Sequence, residues 1–86
     1  MNEYDVVFAR SARKELERLD ELLSSRILRR IELLARTPRP EGCRKLQGAS
    51  NLWRIRIGDY RVLYAVDDAR RLVDIIAVRH RSEAYR

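Results

Sequence analysis

The chain reads as an α+β fold in which a two-helix hairpin packs on one face of an antiparallel sheet, with elements in the order β-αα-β-β-β. Three observations carry that reading. Apolar residues recur at helical period between Ala12 and Ala35, apolar and charged residues alternate at strand period from Trp53 onward, and the run Thr37-Pro38-Arg39-Pro40-Glu41-Gly42 separates the two regimes. Eighty-six residues leave room for one core, so residues 1–86 are expected to form a single domain.

The first strand is predicted at Tyr4-Asp5-Val6-Val7-Phe8, a run rich in β-formers. Ser11 suits the N-cap of a helix whose Ala12, Leu16, Leu19 and Leu22 or Leu23 make one apolar stripe. Ser24 or Ser25 suits the cap of a second helix, in which Ile27, Leu28, Ile31, Leu34 and Ala35 recur and Glu32 and Arg36 form an i,i+4 pair. Pro38 disfavours helix at Thr37, and neither Pro38 nor Pro40 can donate a backbone hydrogen bond, so the hairpin ends there. Trp53-Arg54-Ile55-Arg56-Ile57 alternates strictly, Tyr60 to Val66 is again rich in β-formers, and Gly58-Asp59 between them suits a two-residue II′ turn. The polar turn Asp67-Asp68-Ala69-Arg70-Arg71 precedes a last strand from Leu72 to about Arg79.

Several classes of function are disfavoured at once. Apolar runs such as Ile75-Ile76-Ala77-Val78 fall far short of the roughly 18 residues that a membrane span needs. The start Met1-Asn2-Glu3-Tyr4-Asp5 lacks the cationic and apolar regions of a secretory signal, which predicts a cytoplasmic protein. With one cysteine, Cys43, and one histidine, His80, neither a disulfide, nor a metal centre, nor another cofactor is expected. Charge points to a polyanionic partner: the formal net charge is +6, and residues 44–86 hold ten bases against five acids where residues 1–43 hold nine against eight. Seventeen of the nineteen bases are arginine, whose planar fork matches phosphate, although a GC-rich coding sequence would also enrich it.

A two-residue turn at Gly58-Asp59 pairs Ile57 with Tyr60, Arg56 with Arg61, Ile55 with Val62, Arg54 with Leu63 and Trp53 with Tyr64. Side chains alternate between faces, so Trp53, Ile55, Ile57, Tyr60, Val62 and Tyr64 should face the helices, while Arg54, Arg56 and Arg61 should lie on the other face and be the more exposed. Like charges set opposite each other cost up to about 1 kcal/mol, so a structural role alone does not explain Arg56 across from Arg61. Converging guanidinium groups make an anion site. Whether Arg79 and Tyr85 join it depends on the register of the last hairpin, which the turn at 67–71 leaves open. His80 and Tyr85, taken singly, fit a surface residue and a packing contact. Beside the arginine face they have the makings of acid, base and stabiliser for metal-free phosphodiester cleavage.

Three segments together resemble the RelE/ParE superfamily of type II toxins over nearly the full length: Arg36-Thr37-Pro38-Arg39-Pro40 leading to Lys45-Leu46-Gln47-Gly48, Trp53 through Tyr64 with its Gly-Asp-Tyr-Arg-Val block, and His80-Arg81-Ser82-Glu83-Ala84-Tyr85. The resemblance implies a ribonuclease that enters the ribosomal A site and cuts messenger RNA, monomeric alone and held silent in a hetero-oligomer by a cognate antitoxin. It also implies the site. Arg54 and Arg56 occupy the places of basic residues on the strand before the turn, Arg61 that of the arginine that stabilises the scissile phosphate, and Arg79 and Tyr85 those of the last-strand base and terminal tyrosine. Lys45 and Arg81 are further RNA-binding candidates. Some members carry lysine where this chain has Arg54 and Arg56, and arginine is a poor proton acceptor at neutral pH, which leaves Tyr85 and His80 for proton transfer. Of the two, Tyr85 matches the family position better. Two alternatives stand beside this reading: a ParE-like inhibitor of DNA gyrase without a nuclease site, and a basic binding module without catalysis. Arg61 together with the terminal arginine and tyrosine favours the nuclease.

Overall fold

The computed structural model describes residues 3–48 and 51–84. Five strands, β1 (Asp5–Phe8), β2 (Arg44–Lys45), β3 (Leu52–Ile57), β4 (Tyr60–Asp67) and β5 (Leu72–His80), form one sheet in the order β1-β5-β4-β3-β2. Helices α1 (Arg10–Glu17) and α2 (Glu21–Glu32) make the predicted hairpin, α2 running on into a 3-10 turn at Leu33–Ala35. A short last turn, α3 (Arg81–Ala84), follows β5. The α+β order is that expected from the sequence, with β2 and α3 as additions too short to leave a periodic pattern.

The sheet is mixed rather than wholly antiparallel, because β1 runs parallel to β5, from Asp5 beside Leu72 to Phe8 beside Ile75. A meander of β3, β4 and β5 leaves the outer edge of β5 open, and its unpaired backbone groups need partners. β1 fills the first half of that edge: beyond the ladder, Asp5 N–H donates to the Arg71 carbonyl and Ala9 N–H to the Ile75 carbonyl, both at 2.9 Å. Side chains of α1 take over where β1 stops. Ser11 Oγ donates to the Ile76 carbonyl at 3.1 Å, and Val78 N–H donates to Glu15 Oε1 at 2.8 Å.

This arrangement corrects the helix starts. Because strand pairing extends to Ala9, α1 begins directly after it with no side-chain cap, and the Ser11 hydroxyl is used on β5 instead. The second helix starts at Glu21, capped by Asp20, whose Oδ1 accepts from Leu23 N–H at 2.8 Å; Ser24 and Ser25 lie inside it. The apolar stripe is largely as expected: Ala12, Ile27, Ile31 and Leu34 are buried and Leu16, Leu19 and Leu23 pack against the core, whereas Leu22, the other option beside Leu23, is 83% exposed and Leu28 is also exposed. Arg36 pairs with Glu3 at 3.3 Å, not with Glu32, since the 3-10 turn breaks the i,i+4 phase.

The buried helix residues meet Ile55, Ile57, Val62, Tyr64, Val66, Val73, Ile75 and Val78 of the sheet in one cluster, with Trp53 and Tyr60 at its margin. The loop after the helices is fastened over this core. Tyr64 Oη donates to the Pro38 carbonyl at 2.6 Å, and burial pushes that hydroxyl well above the ordinary tyrosine range. Arg39 forks onto Asp68 at 2.7 and 3.3 Å and lies 5.2 Å from the centre of the Trp53 ring, while Tyr4 Oη donates to Asp68 at 2.6 Å. The hydrogen bonds from Arg39 and Tyr4 hold the Asp68 carboxyl below its usual range. Tyr64→Phe keeps the ring and removes one hydrogen bond, so it is expected to cost about 1 kcal/mol in urea unfolding. Among the described residues, no helix is long and apolar enough to cross a membrane.

Candidate RNA-binding and catalytic site

The β3–β4 hairpin has the predicted register, from Ile57 beside Tyr60 to Trp53 beside Tyr64. Gly58 stands at φ +60°, and Asp59 is not among the positive-φ residues, which is the II′ pattern and the reason the first turn position is glycine. The second hairpin, open in the sequence, pairs Tyr60 with His80, Arg61 with Arg79, Val62 with Val78 and Leu63 with Ala77, with a register shift after Leu63. Its turn is four residues, 68–71, and closes on Arg71 at φ +54°.

These registers place Arg56, Arg61 and Arg79 side by side across β3, β4 and β5, on the face away from the helices. The pairing of β2 with β3 adds Arg44 beside Arg54, one pleat further along the same face. Arg44 was not legible from the sequence, because a two-residue edge strand carries no alternation of its own. Lys45, an RNA-binding candidate on sequence grounds, is exposed and pairs with Trp53, so the register puts it on the helix side of β2.

Exposure within the row differs from the expectation in one important respect. Arg56 is exposed and Arg54 is half-buried, but Arg61 is only 4% exposed, comparable with Ile55 at 3%. Its face is as predicted; its burial is not. Arg61 sits between two strands that each carry an arginine beside it, and its guanidinium folds back over the hairpin end, where Nη1 donates to the Tyr60 carbonyl at 3.2 Å and approaches the Gly58 carbonyl at 3.5 Å. The chain after β5 also turns onto this hairpin: Arg81 N–H donates to the Asp59 carbonyl at 2.7 Å, and α3 packs against β4 and β5. The Arg81 residue itself is exposed. Tyr85 lies outside the described residues.

Arg79 is engaged from the helix layer. Its Nε lies 3.3 Å from Glu15 Oε2, the second oxygen of the carboxylate that accepts Val78 N–H. Nothing in the sequence joins residues 63 and 64 positions apart, and Glu15 was not a candidate.

His80 falls elsewhere. It pairs with Tyr60, so the pleat turns it to the face opposite Arg61 and Arg79, where its ring meets that of Tyr60 edge-on at 5.4 Å. Its Nδ1 accepts Ser82 N–H at 3.2 Å and faces Ser82 Oγ at 2.9 Å. A backbone N–H can only donate, so Nδ1 is the bare nitrogen and the neutral ring carries its hydrogen on Nε2. In this state Nε2 can give a proton and cannot take one. Among the described residues, no three His, Cys, Asp or Glu side chains converge as metal ligands would.

Comparison with known proteins places this geometry. Residues 6–85 match the family model described as the ParE toxin of the type II toxin-antitoxin system parDE. The toxin RelE of Mycobacterium tuberculosis is 33% identical over 84 residues, covering 96% of this chain and 87% of its own, and the toxin RelG of the same organism is 32% identical over 84 residues, covering 96% and 97%. In the solved structure of the archaeal RelE-RelB complex from Pyrococcus horikoshii, a chain 30% identical superposes with a TM-score of 0.82 over 98% of this chain and 100% of that one. The RelBE2 toxin-antitoxin complex of M. tuberculosis gives a TM-score of 0.81 at 30% identity, over 92% and 99%. On these matches, and on the fold shared with the solved relatives, the chain belongs to the RelE/ParE superfamily of type II toxins.

Proposed function

We propose that this toxin is a ribosome-dependent endoribonuclease that cuts messenger RNA in the A site. The observation that carries the reading is the row Arg56-Arg61-Arg79, aligned across three strands. Cross-strand repulsion works against such a row, and the Glu15 carboxylate beside Arg79 offsets part of it. A scissile phosphate would engage the guanidinium groups together.

The chemistry needs no group beyond the RNA and these side chains. The 2′-hydroxyl of the nucleotide before the cut gives its proton to a basic side chain and attacks the adjacent phosphorus in line; the P–O5′ bond breaks, and the departing oxygen takes a proton from that now protonated side chain or from water. The products are a 2′,3′-cyclic phosphate and a 5′-hydroxyl. Arg56, Arg61 and Arg79 stabilise the charge that builds on the non-bridging oxygens, with each well-placed donor worth about 3 to 4 kcal/mol in the transition state. Tyr85, the residue that follows α3 in the sequence, is the proposed proton acceptor. His80, on the other face with Nε2 protonated, suits the acceptor role less well. Arg44, Arg54 and Arg81 would contact the phosphate backbone, and Lys45 its flanks.

The proposed setting is the cytoplasm, with residues 1–86 acting as one domain, monomeric when free. RelE relatives have been solved as RelE-RelB complexes. By that analogy a cognate antitoxin, acidic where it meets this face, would hold the toxin in a hetero-oligomer by covering the arginines or displacing the tail.

Charge attraction and chemistry separate by salt. Arg54→Ala is expected to weaken ribosome or RNA binding, with an effect that changes with ionic strength, and to leave the single-turnover rate at saturation close to wild type. End-group analysis of the cut message should show the cyclic phosphate. A 5′-phosphate product would contradict the 2′-hydroxyl route.

A further inference from the structure

We infer that Glu15 is a positioning residue for Arg79, setting the third member of the arginine row before substrate arrives; this rests on the ribonuclease reading. Its two oxygens engage consecutive residues of β5, Val78 through the backbone N–H at 2.8 Å and Arg79 through Nε at 3.3 Å. The two bonds have different consequences. The first satisfies a donor on the part of the β5 edge that β1 does not reach, and so anchors the carboxylate to the strand. With Oε1 fixed, Oε2 has little freedom, and Arg79 must bring Nε to it.

A guanidinium held through Nε still offers four Nη hydrogens in a plane, enough for a two-pronged grip on a phosphate. Without Glu15 the long side chain would sample many rotamers, pushed away by Arg61 directly across from it. The carboxylate offsets that repulsion and orders the group in advance, which is the condition for electrostatic stabilisation of a transition state at small reorganisation cost. Glu15 retains 26% of its side-chain exposure and sits on α1, behind the arginine it directs.

Glu15→Gln separates the two bonds. The carboxamide oxygen can still accept Val78 N–H, while its NH2 meets Arg79 Nε donor to donor. The expected result is an unfolding midpoint near wild type, ribosome affinity equal or higher because an acid has been removed from a basic protein, and a single-turnover cleavage rate lowered about 10- to 100-fold. Loss of a merely structural contact, or of a charge alone, would not lower the rate while sparing affinity.

The decisive comparison is made in the Arg79→Ala background. If Glu15 acts through Arg79, adding Glu15→Gln there changes the rate no further. A direct readout accompanies it: the Arg79 Nε–H resonance is expected to exchange slowly in the wild-type protein and to be lost in Glu15→Gln. Equal cleavage by wild type and Glu15→Gln, or the same loss of rate with and without Arg79, overturns the inference while the ribonuclease reading stands. A wild-type protein that fails to cut message on programmed ribosomes overturns that reading, and the positioning role with it.

Discussion

Arg61→Ala is expected to lower single-turnover cleavage on saturated ribosomes by about two to three orders of magnitude, the loss typical of removing one preorganised donor from a developing oxyanion. Its centre position in the row, flanked by Arg56 and Arg79 on the adjacent strands, makes it the arginine whose removal opens the largest gap. Stability should also fall. At 4% exposure and with Nη1 donating to the Tyr60 carbonyl, Arg61 is part of the hairpin end, so its loss is expected to cost about 1 to 3 kcal/mol in urea unfolding. Measuring the rate at a temperature where both proteins are fully folded separates the two effects. Arg61→Lys keeps the charge and loses the fork, and an intermediate rate would assign the remainder to bidentate geometry.

Ile31→Ala should have the largest effect on folding, about 2 to 5 kcal/mol, because Ile31 is fully buried on the face that α2 turns to the sheet. In a domain of this size that is a large share of the total stability. Leu22→Ala, by contrast, should stay within about 0.5 kcal/mol, since Leu22 is 83% exposed. Denaturant titration of the pair tests the phase of the helical stripe, which the sequence left open between Leu22 and Leu23.

That ambiguity has a physical cause. Leu22 and Leu23 adjoin in sequence, and apolar periodicity alone cannot say which one the helix turns inward until the start of the helix is known. Asp20 decides it by accepting Leu23 N–H, and Asp20 is no less common a cap than the serines downstream. The β3–β4 hairpin was legible to the residue because Gly58-Asp59 sets a two-residue turn and strict alternation sets both faces. The β4–β5 hairpin was not, since its polar turn has no such signature, and so the alignment of Arg79 with Arg61 and the turning of His80 to the opposite face had to come from the structure. The buried state of Arg61 was likewise out of reach: alternation assigns a face, but it does not say that a side chain will fold back over its own hairpin end. Glu15 was invisible for a further reason. Its role depends on β1 leaving β5 at Ile75, a parallel pairing that four β-formers at the N-terminus could not announce.

The most direct test of the central claim is to add the purified protein to ribosomes programmed with a defined message and to map the new 5′ ends, with the same message free of ribosomes alongside. Cuts within the A-site codon on ribosomes, absent on the naked message and abolished by Arg61→Ala, are the predicted result. An uncut message, together with loss of supercoiling by DNA gyrase in the presence of the protein, would contradict the ribonuclease account and make the arginine row a binding surface for a different target.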